Sequence, residues 1–169
     1  MEDLPGEFTL TDQHGARHPL RRYPPSHAER TLGVYISMDG NQLAEIRYLK
    51  EKCTTFGAKL RSSSCTMNEA IYTFESWLLP ALRYAMPVTT ISYKDWNDIL
   101  APALIPCLQK AGISKNAPRA VLFGPKSLHG FGLSHPYFQQ QICHVETLLQ
   151  QVLSCTQTGT ILRASAEQF

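Results

Sequence analysis

Apolar residues follow two rhythms along this chain, a period of two as far as residue 40 and one of three to four beyond it. Within 31–37, Leu32, Val34 and Ile36 alternate with Thr31, Tyr35 and Ser37, which predicts a β-strand with one apolar face. Asp39-Gly40-Asn41 ends it, since Gly and Asn accept the positive φ of a sharp turn. Upstream, 7–11 and 16–20 predict a hairpin about an Asp12-Gln13-His14-Gly15 turn. Pro19, Pro24 and Pro25 limit its second arm to an edge strand or polyproline II.

Past residue 41 the pattern is helical. A first helix is expected over 41–60, with Leu43, Ile46, Leu49, Cys53, Phe56 and Leu60 on one stripe and Lys50, Glu51 and Lys59 outside it. After a break at 61–64, Thr66 and Glu69 have the spacing of a capping box, whose hydroxyl and carboxylate satisfy amides at a helix start. The second helix should place Met67, Ile71, Phe74, Leu78 and Leu82 on one face, and Pro80 should kink or split it. Trp77 and Trp96 read as core residues, and 86–91 as an extended link. Ser92, with Asp95 three residues on, caps a third helix carrying Trp96, Ile99, Leu100, Ala103, Leu104, Cys107 and Leu108. Pro102 and Pro106 should bend or interrupt that helix, and Gly112 ends it. Residues 117–123 are apolar and undecided in type. Ser134 and Pro136 open a last helix whose stripe is Phe138, Ile142, Val145, Leu149 and Val152.

The fold class expected is α+β and mostly α. A short β hairpin or strand occupies 1–40, a bundle of four or five helices 41–155, and a flexible, frayed tail 156–169.

Composition changes this picture little. With 169 residues and 43% hydrophobic content the chain can bury a core, and its charged content of 18% is low. A net charge of +2 is too mild to imply a nucleic-acid partner by itself, but the charges are unevenly placed. Residues 1–12 hold Glu2, Asp3, Glu7 and Asp12 and no Lys or Arg. Residues 14–30 hold Arg17, Arg21, Arg22, Arg30, His14, His18 and His27 against Glu29 alone. That arm reads equally as solvated surface and as a phosphate-contacting surface. Cys53, Cys65, Cys107, Cys143 and Cys155 form no C-x-x-C pair, so a reduced, intracellular setting is expected. No apolar leader is visible, and the longest uncharged stretch, 85–92, is too short to span a bilayer, so no membrane partner is expected.

Catalytic and cofactor chemistry is not evident. Cys143-His144 with Glu146 is the densest cluster of ligating types, yet adjacent helical residues point about 100° apart, and a core cysteine beside a surface histidine is the preferred reading. A Cys/His nucleophilic pair has no orienting third group in the sequence. Gly124-Pro125 and Gly130-Phe131-Gly132 lack the rest of a phosphate-binding loop, and a structural turn is preferred. No catalytic, metal-binding or cofactor-binding residue is assigned.

The order of the segments carries more. Arg30-Thr31-Leu32-Gly33-Val34-Tyr35, Asp39-Gly40-Asn41, Ala44-Glu45 and Tyr48-Leu49-Lys50 resemble the end of the palm in reverse transcriptases of non-long-terminal-repeat retrotransposons. Tyr84, Pro87-Val88-Thr89-Thr90, Ile99 with Pro102, Pro118-Arg119-Ala120-Val121, Gly124-Pro125, Gly130-Phe131-Gly132-Leu133 and Gln141 with His144 are spaced as in the thumb beyond the palm. The resemblance covers about residues 16–152. It implies that Leu32, Gly33 and Val34 lie in a primer-grip strand, where a glycine permits close backbone approach, and that a helical thumb closes over a primer–template duplex. The implied nucleic-acid contacts are Arg17, Arg21, Arg22 and Arg30 from the arm and Lys50, Lys52 and Lys59 from the first helix. The family's two-metal chemistry uses a Tyr-x-Asp-Asp turn, and the aspartates here (Asp3, Asp12, Asp39, Asp95, Asp98) are never adjacent. The implied role is duplex binding without synthesis by this chain alone. Two rivals remain: a repurposed helical interaction module that binds a protein partner or a second copy through exposed apolar surface, and an enzyme with a Cys/His site.

Overall fold

The computed structural model describes residues 8–20 and 23–167. The architecture is α+β and mostly α, and the chain divides into two compact units, Met1–Asn41 and Gln42–Phe169.

The first unit consists of two antiparallel hairpins. Strands β1 (Thr9–Thr11) and β2 (Arg17–Pro19) pair with Thr11 opposite Arg17. Their turn is held by Asp12, whose Oδ1 accepts from the amides of His14 (2.8 Å) and Ala16 (3.0 Å), with Gly15 at φ 81°. Strands β3 (Ala28–Thr31) and β4 (Val34–Ser37) pair with Thr31 opposite Val34. The run 31–37 is therefore not one strand. Leu32 (φ 50°) and Gly33 (φ 92°) form a two-residue turn, the geometry in which both central residues have positive φ and the twist of the flanking strands is matched. Leu32 falls at the tip, and Val34 and Ser37 rather than Val34 and Ile36 are buried on β4. Asp39 ends the hairpin, accepting from Ser37 Oγ (2.6 Å) and the Asn41 amide (2.9 Å).

The second unit is built on the crossing of α1 (Leu43–Ser62) and α4 (Tyr93–Lys110). Leu49, Cys53, Phe56 and Leu60 are buried on α1, while Leu43 at the head of the expected stripe is exposed. Gly57 is the point of closest approach. A Cβ there would collide with the carbonyl oxygen of Pro102 and lie 3.3 Å from Pro106 Cγ. Pro106 has no N–H, so the Pro102 carbonyl lacks its i+4 donor and lies against the glycine of the facing helix instead. The two prolines leave α4 uninterrupted, and Ser92 caps it, Oγ accepting from the Asp95 amide at 3.1 Å.

Between them, α2 (Met67–Thr73) starts at the expected capping box, with Glu69 Oε2 accepting from the Thr66 amide (2.7 Å) and hydroxyl (2.8 Å). Pro80 neither breaks nor sharply ends the helical path. A π-helical turn, Phe74–Leu78, passes into α3 (Leu79–Arg83), with the Leu79 amide reaching back to Phe74. One added residue absorbs the amide that proline cannot supply. Residues Met86–Val88 form a 3-10 turn inside the expected extended link. The undecided segment is helix α5 (Arg119–Phe123). Helix α6 runs Pro136–Leu153, capped by His135 rather than Ser134: its Nδ1 accepts from the Tyr137 amide at 3.1 Å. Within 156–169, Gln157–Ala166 forms helix α7, with Thr156 capping it, in place of a frayed tail.

Helix α6 is turned over relative to its pattern. Phe138, Ile142, Val145 and Leu149 are each about half exposed, and the buried residues are Pro136, Gln140 and Cys143. At 100° per residue these two sets face roughly 160° apart. Polar anchors hold the helix in this orientation. Gln140 Oε1 accepts from Trp96 Nε1 (3.0 Å) and the Ile91 amide (3.2 Å), and its Nε2 donates to the Ile91 carbonyl (3.1 Å). His144 Nε2 donates to the carbonyls of Met86 (2.9 Å) and Thr89 (2.8 Å), so it is a half-buried anchor and not a surface histidine.

Candidate nucleic-acid interface

The expected contact residues fall in both units. In the first, Arg17 is exposed on β2 and Arg30 is exposed on β3, its guanidinium 5.9 Å from the centre of the Tyr35 ring. Arg21 and Arg22 lie outside the described residues. Two of the arm's histidines stand beside carboxylates: His18 Nε2 is 3.2 Å from Asp12 Oδ2, and His27 Nε2 is 3.2 Å from Glu29 Oε2. Hydrogen bonds from His18 and from the Ala16 and His14 amides hold the Asp12 carboxyl below its usual range. The excess of positive charge in this arm is thus smaller than a count of its basic residues suggests. Leu32 is 87% exposed at the β3–β4 tip, with Gly33 beside it, and Val34 is buried. A leucine in the left-handed region is uncommon, because its Cβ crowds the backbone.

In the second unit, Lys50, Lys52 and Lys59 do not share a face. Lys52 and Lys59 are two turns apart on one stripe of α1, roughly 10 Å along its axis, while Lys50 points about 160° away from Lys52. Lys52 Nζ sits 4.5 Å from the centre of the Tyr48 ring, one turn back.

Between Lys52 and Lys59 stands a residue expected in the core. Trp77, within the π-helical turn, is 57% exposed and stacks on Phe56 of α1 with ring centres 5.8 Å apart and planes 20° from parallel. Its indole is the shared wall of two shallow grooves, one lined by Tyr48, Lys52 and Thr55, the other by Lys59, Ser63 and Thr73. Glu51 also borders the first groove. The sequence held a signal for this: at 100° per residue Trp77 lies about 100° from the centre of the stripe through Phe74 and Leu78. Trp96, by contrast, is fully buried as expected.

The other chemical readings find little in the structure. All five cysteines are free. Burial pushes the Cys53 thiol up to about 12 and the Cys107 thiol up to about 11, away from the thiolate a nucleophile needs. Among the described residues no group of three or more His, Cys, Asp or Glu is placed to hold a metal ion. The glycine loop folds back on α5, with the amides of Gly130, Phe131, Gly132 and Leu133 donating to Pro125, Val121, Gly124 and Leu122, so these donors are not turned towards a phosphate. No helix among the described residues is long and apolar enough to cross a membrane.

No protein-family model, no curated protein and no solved structure matches the chain.

Proposed function

We propose that the chain acts as the primer-grip and thumb-like part of a retrotransposon-type reverse transcriptase, binding an RNA–DNA or DNA duplex and incapable of synthesis by itself. The observation that carries this reading is the Leu32–Gly33 tip. The centre of the resembling segment stands on an exposed hairpin turn, held at positive φ, with Arg30 on the adjoining strand. Backbone held in a sparsely populated conformation is concentrated at binding sites, because a fold tolerates that strain where geometry serves contact. Within the first unit, exposed Arg17 supplies a further cation for phosphate. Within the second, taken by itself, Lys52 and Lys59 on α1 supply cations and Trp77 an aromatic surface for base or sugar.

Fluorescence anisotropy on an RNA–DNA hybrid at several salt concentrations tests it. Affinity should fall steeply with salt, and replacing Arg17, Arg21 and Arg22 by Ala should flatten the log–log slope by up to about three units while weakening all sequences alike. Unchanged slope and affinity in that variant removes the arm from the site. Absence of hybrid binding by the parent chain overturns the reading altogether.

A second reading, a repurposed helical protein-interaction module, is favoured by one observation: the outward apolar stripe of α6.

A further inference from the structure

We infer that Trp77 is a stacking platform for an unpaired base, so that the second unit takes single-stranded nucleic acid. This rests on the nucleic-acid half of the proposed function and not on the duplex. On α1, Lys52, Phe56 and Lys59 are spaced by four and three residues, which sets them in one row with Phe56 in the middle. Trp77 lies over the Phe56 ring, 20° from parallel, so the row at the surface reads cation, indole, cation.

The platform is built into the fold. Phe74 and Leu78, which flank Trp77 in the π-helical turn, are buried, while Trp77 itself stays 57% exposed. Phe56 beneath it is buried too, so the indole rests on a fixed ring. A plane already held in place loses little conformational entropy when a base stacks on it.

Charge and shape select the occupant. A single strand sets each base between two phosphates, the same alternation as cation, indole and cation. Inside a duplex the base faces cover one another and only their edges are offered, so a base that stacks here is unpaired. Glu51 borders the groove on the Lys52 side. The described residues lining the groove on the Lys59 side include no carboxylate, and Ser63 and Thr73 there offer hydroxyls to a base edge or sugar. The base is therefore seated on the Lys59 side. An acidic peptide answers to the lysines alone.

Titration of the full chain with a single-stranded oligothymidylate, read by tryptophan emission, tests this. Trp96 is fully buried with its Nε1 bonded to Gln140, so a change in emission reports Trp77. The oligonucleotide should quench the emission, and a blunt RNA–DNA hybrid should quench it far less. Trp77→Phe keeps a ring over Phe56 and should bind nearly as the parent does. Trp77→Ala, with an unchanged circular-dichroism spectrum, should weaken single-strand binding by about 5- to 150-fold, the usual range for one stacked base. Lys52→Gln with Lys59→Gln, which leaves the core untouched, should flatten the log–log salt slope by up to about 1.4 units, at about 0.7 for each phosphate on a single strand. Lys94→Gln, exposed at the start of α4, should leave the slope as in the parent. No binding of the oligonucleotide, binding without quenching, an unchanged slope in the lysine pair, or equal quenching by polyglutamate overturns the inference. Hybrid binding that is silent in emission and intact in Trp77→Ala leaves the duplex reading standing alone. Quenching by the single strand with no hybrid binding does the reverse.

Discussion

Helices α4 and α6 have the same length and were expected from the same kind of pattern, yet they bury themselves in opposite ways. On α4 every position named from periodicity (Trp96, Ile99, Leu100, Ala103, Leu104, Cys107 and Leu108) is buried. Helices α1 and α2 and the π-helical turn all pack against it. On α6 the apolar stripe points out and the buried side is anchored by an amide and an imidazole. A period reveals that a helix has an apolar face. The neighbours available, and the polar groups they leave unmet, decide which face is turned inward.

The largest effect bearing on this contrast lies at α4 and its neighbours. Phe74→Ala and Leu104→Ala should each cost about 2–5 kcal/mol, the usual range for emptying a packed site. A negligible change in denaturation midpoint for both would undo the contrast at its firmer end. Next comes the polar anchor. Gln140→Leu keeps a similar volume but strands the Trp96 indole N–H and the Ile91 amide, at about 1–3 kcal/mol for each buried group left unmet. If that substitution proves neutral, the anchor does not orient α6.

A pH experiment reads the junction of the two helices. His135 is buried at the start of α6, its ring 4.9 Å from that of Tyr93 on α4 and stacked on it, with Phe123 edge-on at 4.6 Å. Burial, and then the nearby Arg119 guanidinium, depress its pKa to about 4. The unfolded chain, with an ordinary histidine near 6.5, therefore binds the proton more readily between these values. Its contribution to stability is whole above about pH 6.5, declines as pH falls towards 4, and changes no further below that. His135→Gln should flatten the dependence of the denaturation midpoint over this window. An equally steep decline in the variant would assign it to other groups. The smallest effect belongs to the stripe itself: Ile142→Ser, at concentrations where the chain is a single copy, should shift stability by no more than about 0.5 kcal/mol. A core-sized loss would mean the stripe is covered within the chain.

Local pattern was enough for the α+β, mostly α class and for the Thr66–Glu69 box and the Ser92 cap, which depend on contacts within one turn. Periodicity also matched the buried face of α4 and, from Leu49 to Leu60, that of α1, because both apolar stripes found each other as neighbours. Alternation in 31–37 was legible, but its interpretation as one strand failed: Leu32–Gly33 satisfies a strand pattern and a two-residue turn alike, and only pairing with 28–31 separates them. The candidate interface was legible as residue types and not as a surface. Lys52 and Lys59 share a stripe and Lys50 does not, which helical geometry dictates. Trp77 lies off the apolar stripe by helical geometry alone, but its stacking on Phe56 of α1 depends on how two distant helices pack. The roll of α6 was settled by packing between distant parts of the chain. A buried amide or imidazole must find partners, those partners lie 44 to 58 residues away, and no local pattern can show that they will be there.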